Sequence, residues 1–201
     1  MYLLIVMLVA LAAFAAVVFY PRRVSAHCDT MDGPTVKDGK LALERNDLNY
    51  ALKWIAADDT EELRKIFAQS IKVRALGPDA EDLADRFFLE SLVRIHRAGE
   101  GAPFEGLKPS GTPVDEKIVV ADKCVETGVL GPLIELVAPN AVDELKHRFA
   151  KVMSLKNYDP DDVDGGRAYV QAYVSFFKFA EGEDHDHHMS GISAYGTELR
   201  V

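Results

Sequence analysis

From about residue 40 to residue 180, apolar residues recur three or four positions apart, and no alternating pattern persists anywhere. Such spacing puts the apolar side chains on one stripe of a helix, so it admits an all-α chain and excludes a sheet. Leu41, Leu48, Ala51, Leu52 and Ile55 form the first stripe. Asp59 and Glu62 have capping-box spacing ahead of Leu63, Ile66, Phe67 and Ile71. Pro78-Asp79 opens a third helix with Leu83, Phe87, Phe88, Leu92 and Ile95. Ile118, Ala121, Val125 and Val129 mark a fourth, ended by Gly131-Pro132. Asn140 is placed to cap a fifth with Val142, Leu145, Phe149 and Val152. Asp164 is placed to cap a sixth with Val170, Tyr173, Val174 and Phe177, apolar over an arc wide enough for the bundle centre. The expected fold is an all-α bundle of five or six helices.

A different object precedes it. Residues 2–20 are an apolar run without a charge, followed by Pro21-Arg22-Arg23. The run is long enough to cross a bilayer as a helix. Val24-Ser25-Ala26 fits a leader-peptidase site, although no basic segment precedes the run. Three regions are expected: 1–26 as signal peptide or membrane anchor, 27–180 as the bundle, and 181–201 as a polar tail. The reading favours export, periplasmic or extracellular, with tethering through residues 2–20 where no cleavage occurs. If the run is an anchor, Arg22 and Arg23 hold its C-terminal side inside. Composition then divides too. The whole chain carries a net charge of −9 from 23 basic and 32 acidic residues. Without Arg22 and Arg23 the bundle stands at −11. An acidic surface excludes nucleic acid as the main partner.

The chemistry concentrates at the joint. Cleavage after Ala26 would expose His27-Cys28-Asp29-Thr30-Met31-Asp32-Gly33. His27 would then offer an α-amine and an imidazole, and Cys28 a thiolate and a backbone amide. Nitrogen and sulfur donors in a plane suit Ni(II) or Cu(II). His96 and Glu100 stand at i, i+4 where the third helix runs into a segment with four glycines and three prolines in 16 residues, 98–113. They are candidates to bind metal or move a proton. The alternative is that His96 with Arg94 and Arg97 pegs this loop to the bundle. The candidate metal set is His27, Cys28, Asp32, His96 and Glu100, with the loop folding over the N-terminus to unite them. Cys124 reads as a buried inert thiol, Glu90–Arg94 as an ion pair and His147 as a surface residue. The Glu183–Met189 tail, with three histidines, is a weaker candidate for a divalent ion. The G-x4-G-x-K stretch at 101–108 lacks the residues of a phosphate loop, and 159–164 lacks those of a calcium loop.

The His27-Cys28-Asp29 start, with Gly33 following, resembles the hook of mature nickel superoxide dismutases. Those are helical bundles whose hook is exposed by removal of a leader. Their hook has a second cysteine where Asp32 stands here. The resemblance implies nickel, and the departure shifts the expectation from dismutation toward binding. The longer stretch His27–Pro34, together with Arg94–Pro103, resembles an uncharacterised family of exported bacterial helical proteins. That likeness implies export and carries no activity. Two function classes result: an exported protein binding a redox-capable metal, nickel or copper, for superoxide chemistry or metal carriage; and a single-pass accessory subunit docked on a larger membrane complex. A small-ligand site under the 98–113 loop, lined by His96, Phe104 and Lys108, is a third.

Overall fold

The computed structural model describes residues 27–182, and these form an all-α bundle with no β-strand among them. Six helices have twelve residues or more: α1 (Pro34–Arg45), α3 (Thr60–Arg74), α4 (Pro78–Gly99), α5 (Glu116–Thr127), α7 (Val142–Leu155) and α8 (Val163–Glu181). Two single turns join them, α2 (Asn49–Leu52) and α6 (Gly131–Ile134). Residues 1–26 and the histidine-rich tail lie outside the described residues. So do the proposed cleavage point and the membrane run. No helix among the described residues is long and apolar enough to cross a membrane.

The bundle is two antiparallel hairpins, α3 with α4 and α7 with α8; α1 packs on α4, α5 packs on α8, and the α2 turn against α8 links the two halves. Burial of one continuous apolar cluster holds them. Phe67 meets Phe88 edge-on at 5.4 Å in the first hairpin, and Phe149 lies 5.5 Å from Phe176 in the second. α8 buries Val170, Tyr173, Val174, Phe176 and Phe177, as its wide apolar arc requires.

Several local expectations change. The first helix begins earlier, at Pro34 behind Gly33, and its buried face is Thr35, Val36, Gly39, Ala42 and Leu43. Gly39 lets α1 touch α4, since a β-carbon there would meet Leu89 at 2.7 Å. Asn46, in the left-handed region at φ 51°, ends α1, so Leu48–Ile55 is a separate turn. No capping box forms at Asp59, because Glu62 is drawn to Arg94 at 2.6 Å. Glu90 pairs instead with Arg86. α4 buries the row Ala84, Phe88, Leu92 and Ile95, which leaves Leu83 and Phe87 on its solvent side. α5 ends at Gly128 rather than Gly131, and Val129 is exposed. A short 3₁₀ turn, Pro139–Ala141, takes the place of an Asn140 cap. Asp162, not Asp164, caps α8 by accepting from the Gly165 N–H at 2.9 Å.

Candidate functional site

The long loop does fold over the N-terminal segment. Lys108 N–H donates to the Asp29 carbonyl at 2.8 Å, and Met31 N–H to the Lys108 carbonyl at 3.0 Å, giving one isolated parallel bridge. Asp32 anchors the same strap by accepting from Gly111 N–H at 2.7 Å. Residues 100–115 thereby cover the turn His27–Asp29, whose three side chains are all buried. The sequence placed Asp32 with Cys28 as a ligand. Here Asp32 is exposed and occupied by the strap, because its carboxylate satisfies an otherwise free backbone donor.

Each imidazole is fixed on one nitrogen. His27 Nε2–H donates to Asp122 Oδ2 at 2.6 Å, and the Tyr173 hydroxyl donates to Asp122 Oδ1. His27 Nδ1 is buried and has no hydrogen-bond partner. His96 Nδ1–H donates to the Trp54 carbonyl at 2.8 Å. Burial holds the His96 imidazole below its ordinary range, against the pull of Glu100, so it is neutral. Its lone pair is then on Nε2, buried without a hydrogen-bond partner and 3.7 Å from Glu100 Oε2.

Charges alternate beneath the strap. Arg97 Nη1 lies 3.0 Å from Glu100 Oε2, and Lys178 Nζ 3.2 Å from Oε1. Arg97 Nε is 3.5 Å from Asp29 Oδ1, and Lys108 Nζ is 3.9 Å from Asp29 Oδ2. Burial opposes ionisation of Glu100, but His96, Lys178 and Arg97 outweigh it and hold the carboxyl below the usual range. For Asp29 burial wins over Arg97 and Lys108, and its carboxyl is raised. Cys28 is 3% exposed. Burial first, then the Glu100 charge, push its thiol well up, so it is neutral. Thr35 Oγ1 lies beside the thiol with no other partner.

The structure thus brings Cys28, His96 and Glu100 to one buried region and puts His27 next to it, facing Asp122. No group of three or more His, Cys, Asp or Glu side chains among the described residues is set to hold a metal ion. Both cysteines are free thiols, and Cys124 is buried. His147 is exposed beside a shallow depression of about 250 Å³. Phe104, in the strap itself, packs against the core. The loop-pegging role read for His96 and Arg97 is real in part: Arg97 Nε reaches the Pro103 carbonyl at 3.5 Å. Asp122, Tyr173 and Lys178 were missed. Asp122 stands among Ile118, Ala121 and Val125 on the buried face of α5, and a charge on an apolar face calls for a partner. A buried tyrosine hydroxyl does the same.

These features define an all-α protein with a polar, strap-covered site at the joint of its N-terminal segment and its bundle. The chain belongs to a family of unknown function (DUF6448), whose sequence profile matches residues 32–179. The match starts at Asp32, so His27 and Cys28 precede it while His96, Glu100, Asp122 and Tyr173 fall within it. No curated protein and no solved structure matches the chain.

Proposed function

We propose that the protein is exported and binds a redox-capable metal ion through the His27-Cys28 hook, as a carrier or binder rather than a dismutase. One observation supports this most. His27 has the arrangement of a metal-bound histidine, one nitrogen held by a carboxylate and the other buried with nothing to bond. The α-amine released at His27 would join Nδ1 in a six-membered chelate. Asp122 orients the ring, and Tyr173 orients Asp122. Cys28 enters as thiolate, the ion displacing its proton to solvent. Asp32 is engaged with the strap, which removes the only carboxylate that stands where the nickel dismutase hook has its second cysteine.

The test is to purify the processed protein, read its first residue, and measure bound nickel and copper per chain. One ion per chain is expected, lost in His27→Ala and Cys28→Ser. A first residue other than His27, or metal content in both variants equal to that of the unsubstituted protein, refutes the hook.

A second reading, an accessory subunit anchored by residues 2–20, draws support from Leu76, Leu83 and Phe87, which are 79%, 67% and 49% exposed. Alkaline carbonate extraction separates the two, since an anchored subunit stays in the membrane pellet.

A further inference from the structure

We propose that the outer face of α4 docks a cationic amphipathic helix of a partner protein. Leu83 and Phe87 enter the apolar seam of that helix, and Asp79 and Asp82 face its lysines or arginines. This deepens the accessory-subunit reading, on whose docking claim it rests, and it needs no anchor in residues 2–20.

The apolar half of the face is set by three side chains. Leu76, Leu83 and Phe87 are three of the five large apolar residues exposed among the described residues, and they fall within twelve positions of one another. Leu76 stands in the turn between α3 and α4. Leu83 and Phe87 are one helical turn apart, so they are neighbours on the surface of α4. The core does not use them, because α4 already fills its inner row with Ala84, Phe88, Leu92 and Ile95. Single exposed apolar residues are ordinary, whereas several on one face mark a contact surface. The other two exposed residues, Val119 and Val129, lie elsewhere, on α5 and in the loop after it.

Charge selects the occupant. Residues 76–90 hold five acidic side chains and one basic, Arg86. Arg86 pairs with Glu90, and Arg74 of α3 pairs with Glu81 and Asp85. Asp79 and Asp82 are exposed and have no ion pair or hydrogen bond among the described residues. Asp79 lies in the first turn of α4, where the helix dipole favours an acid. Asp82 lies past that turn and has no such role. A second copy of this chain would bring the same acid-rich surface against itself, and an anionic lipid surface would meet it with like charge. A segment with basic residues beside an apolar seam answers both halves of the face. Leu83 and Phe87, four positions apart, form a ridge, and such a ridge packs into the groove between side-chain rows of another helix.

The probe is a helical peptide of about 18 residues, leucine on one face and lysine on the other, and its leucine–glutamate counterpart is the comparison. Fluorescence anisotropy titrates each with the purified full chain at low salt. One leucine–lysine peptide per chain should bind. Leu83→Gln with Phe87→Gln should weaken binding about tenfold or more. Asp79→Asn with Asp82→Asn should weaken it about threefold and flatten its salt dependence. Val119→Gln should leave it unchanged. All these positions are exposed, and circular dichroism checks each variant's fold. Equal binding of the leucine–glutamate peptide, binding indifferent to Leu83 and Phe87, or no binding overturns the cationic partner. A dimer dissolved by Phe87→Gln, which puts a second copy on the face, overturns it too, as does vesicle binding lost in that variant, which puts a lipid surface there. Carbonate release of the chain with peptide binding intact removes the anchor and leaves the docking face standing.

Discussion

Replacing Gly33 by alanine tests how the hook is seated. Gly33 has φ −70°, an angle open to alanine, so backbone strain is not the issue. The issue is space. A β-carbon there would lie 2.1 Å from the His27 carbonyl oxygen and 3.1 Å from that of Thr30. The first contact is with backbone, so the His27 turn must retreat by about 1 Å to restore normal separation. That retreat carries the 2.6 Å His27–Asp122 bond out of hydrogen-bonding range. A bond to a charged partner contributes about 1.5–3 kcal/mol. Alanine returns about 0.4–1 kcal/mol by restricting the unfolded chain. The net loss is about 0.5–2.5 kcal/mol, or a fall in Tm of roughly 2–8 °C for a domain of this size. Gly99→Ala is the control. It ends α4 with nothing within 4 Å of the added carbon, and it should gain about 0.5–1 kcal/mol from helix propensity. Thermal melts followed by circular dichroism measure both, and imidazole ¹⁵N shifts report the His27 bond. If Gly33→Ala melts at or above wild type with that bond intact, the claim that the hook is held by close backbone contact is wrong.

Glu100→Gln removes the counter-charge of Arg97 and of the partly exposed Lys178, and should cost about 2–4 kcal/mol in urea unfolding; a loss under about 0.5 kcal/mol would show the network to be energetically idle. Asp32→Ala frees the strap at Gly111, so under native conditions a thiol reagent should reach Cys28 severalfold faster with no change at Cys124. Equal acceleration at both cysteines would mean global rather than strap opening. Burial, with Tyr158 and Asp38 nearby, pushes the Tyr169 phenol up to about 12. Its folded value is raised, so the stability it contributes is full below about pH 10 and drains away as pH climbs toward 12. Phenolate absorbance and helix content should therefore change together in that window, and a Tyr169 titration completed near pH 10 with helix intact would contradict it.

The helices were legible because a one-sided apolar stripe has a single physical reading, and the stripes at Leu63–Ile71, Leu145–Val152 and Val170–Phe177 each lie on a helix of the bundle. Their ends were less so. Asp59 and Glu62 satisfy capping-box spacing, but Glu62 finds a stronger partner in Arg94, 32 positions away, which no local window contains. Leu83 and Phe87 fall on the α4 stripe as read from sequence, yet only one row of α4 meets α1 and α3, and smaller Ala84 occupies it. Tertiary packing chose between two adjacent rows of similar apolarity.

The site shows the same division more sharply. The residue types and the two places to look, the His27-Cys28 turn and the end of α4, could be named because unusual side chains stand at a boundary in composition. Their electrostatics could not, because each decisive partner comes from elsewhere in the chain. Asp122 reaches His27 across 95 positions, and Lys178 reaches Glu100 across 78. Asp32 and Cys28 are close in sequence, but the strap pulls their side chains into different surroundings, one exposed on a backbone amide and the other buried against Thr35 and Glu100. A hook read as a linear motif counts Asp32 as a ligand. The fold instead brings His96 and Glu100 at the end of α4, which the motif does not contain, into the buried region of the thiol.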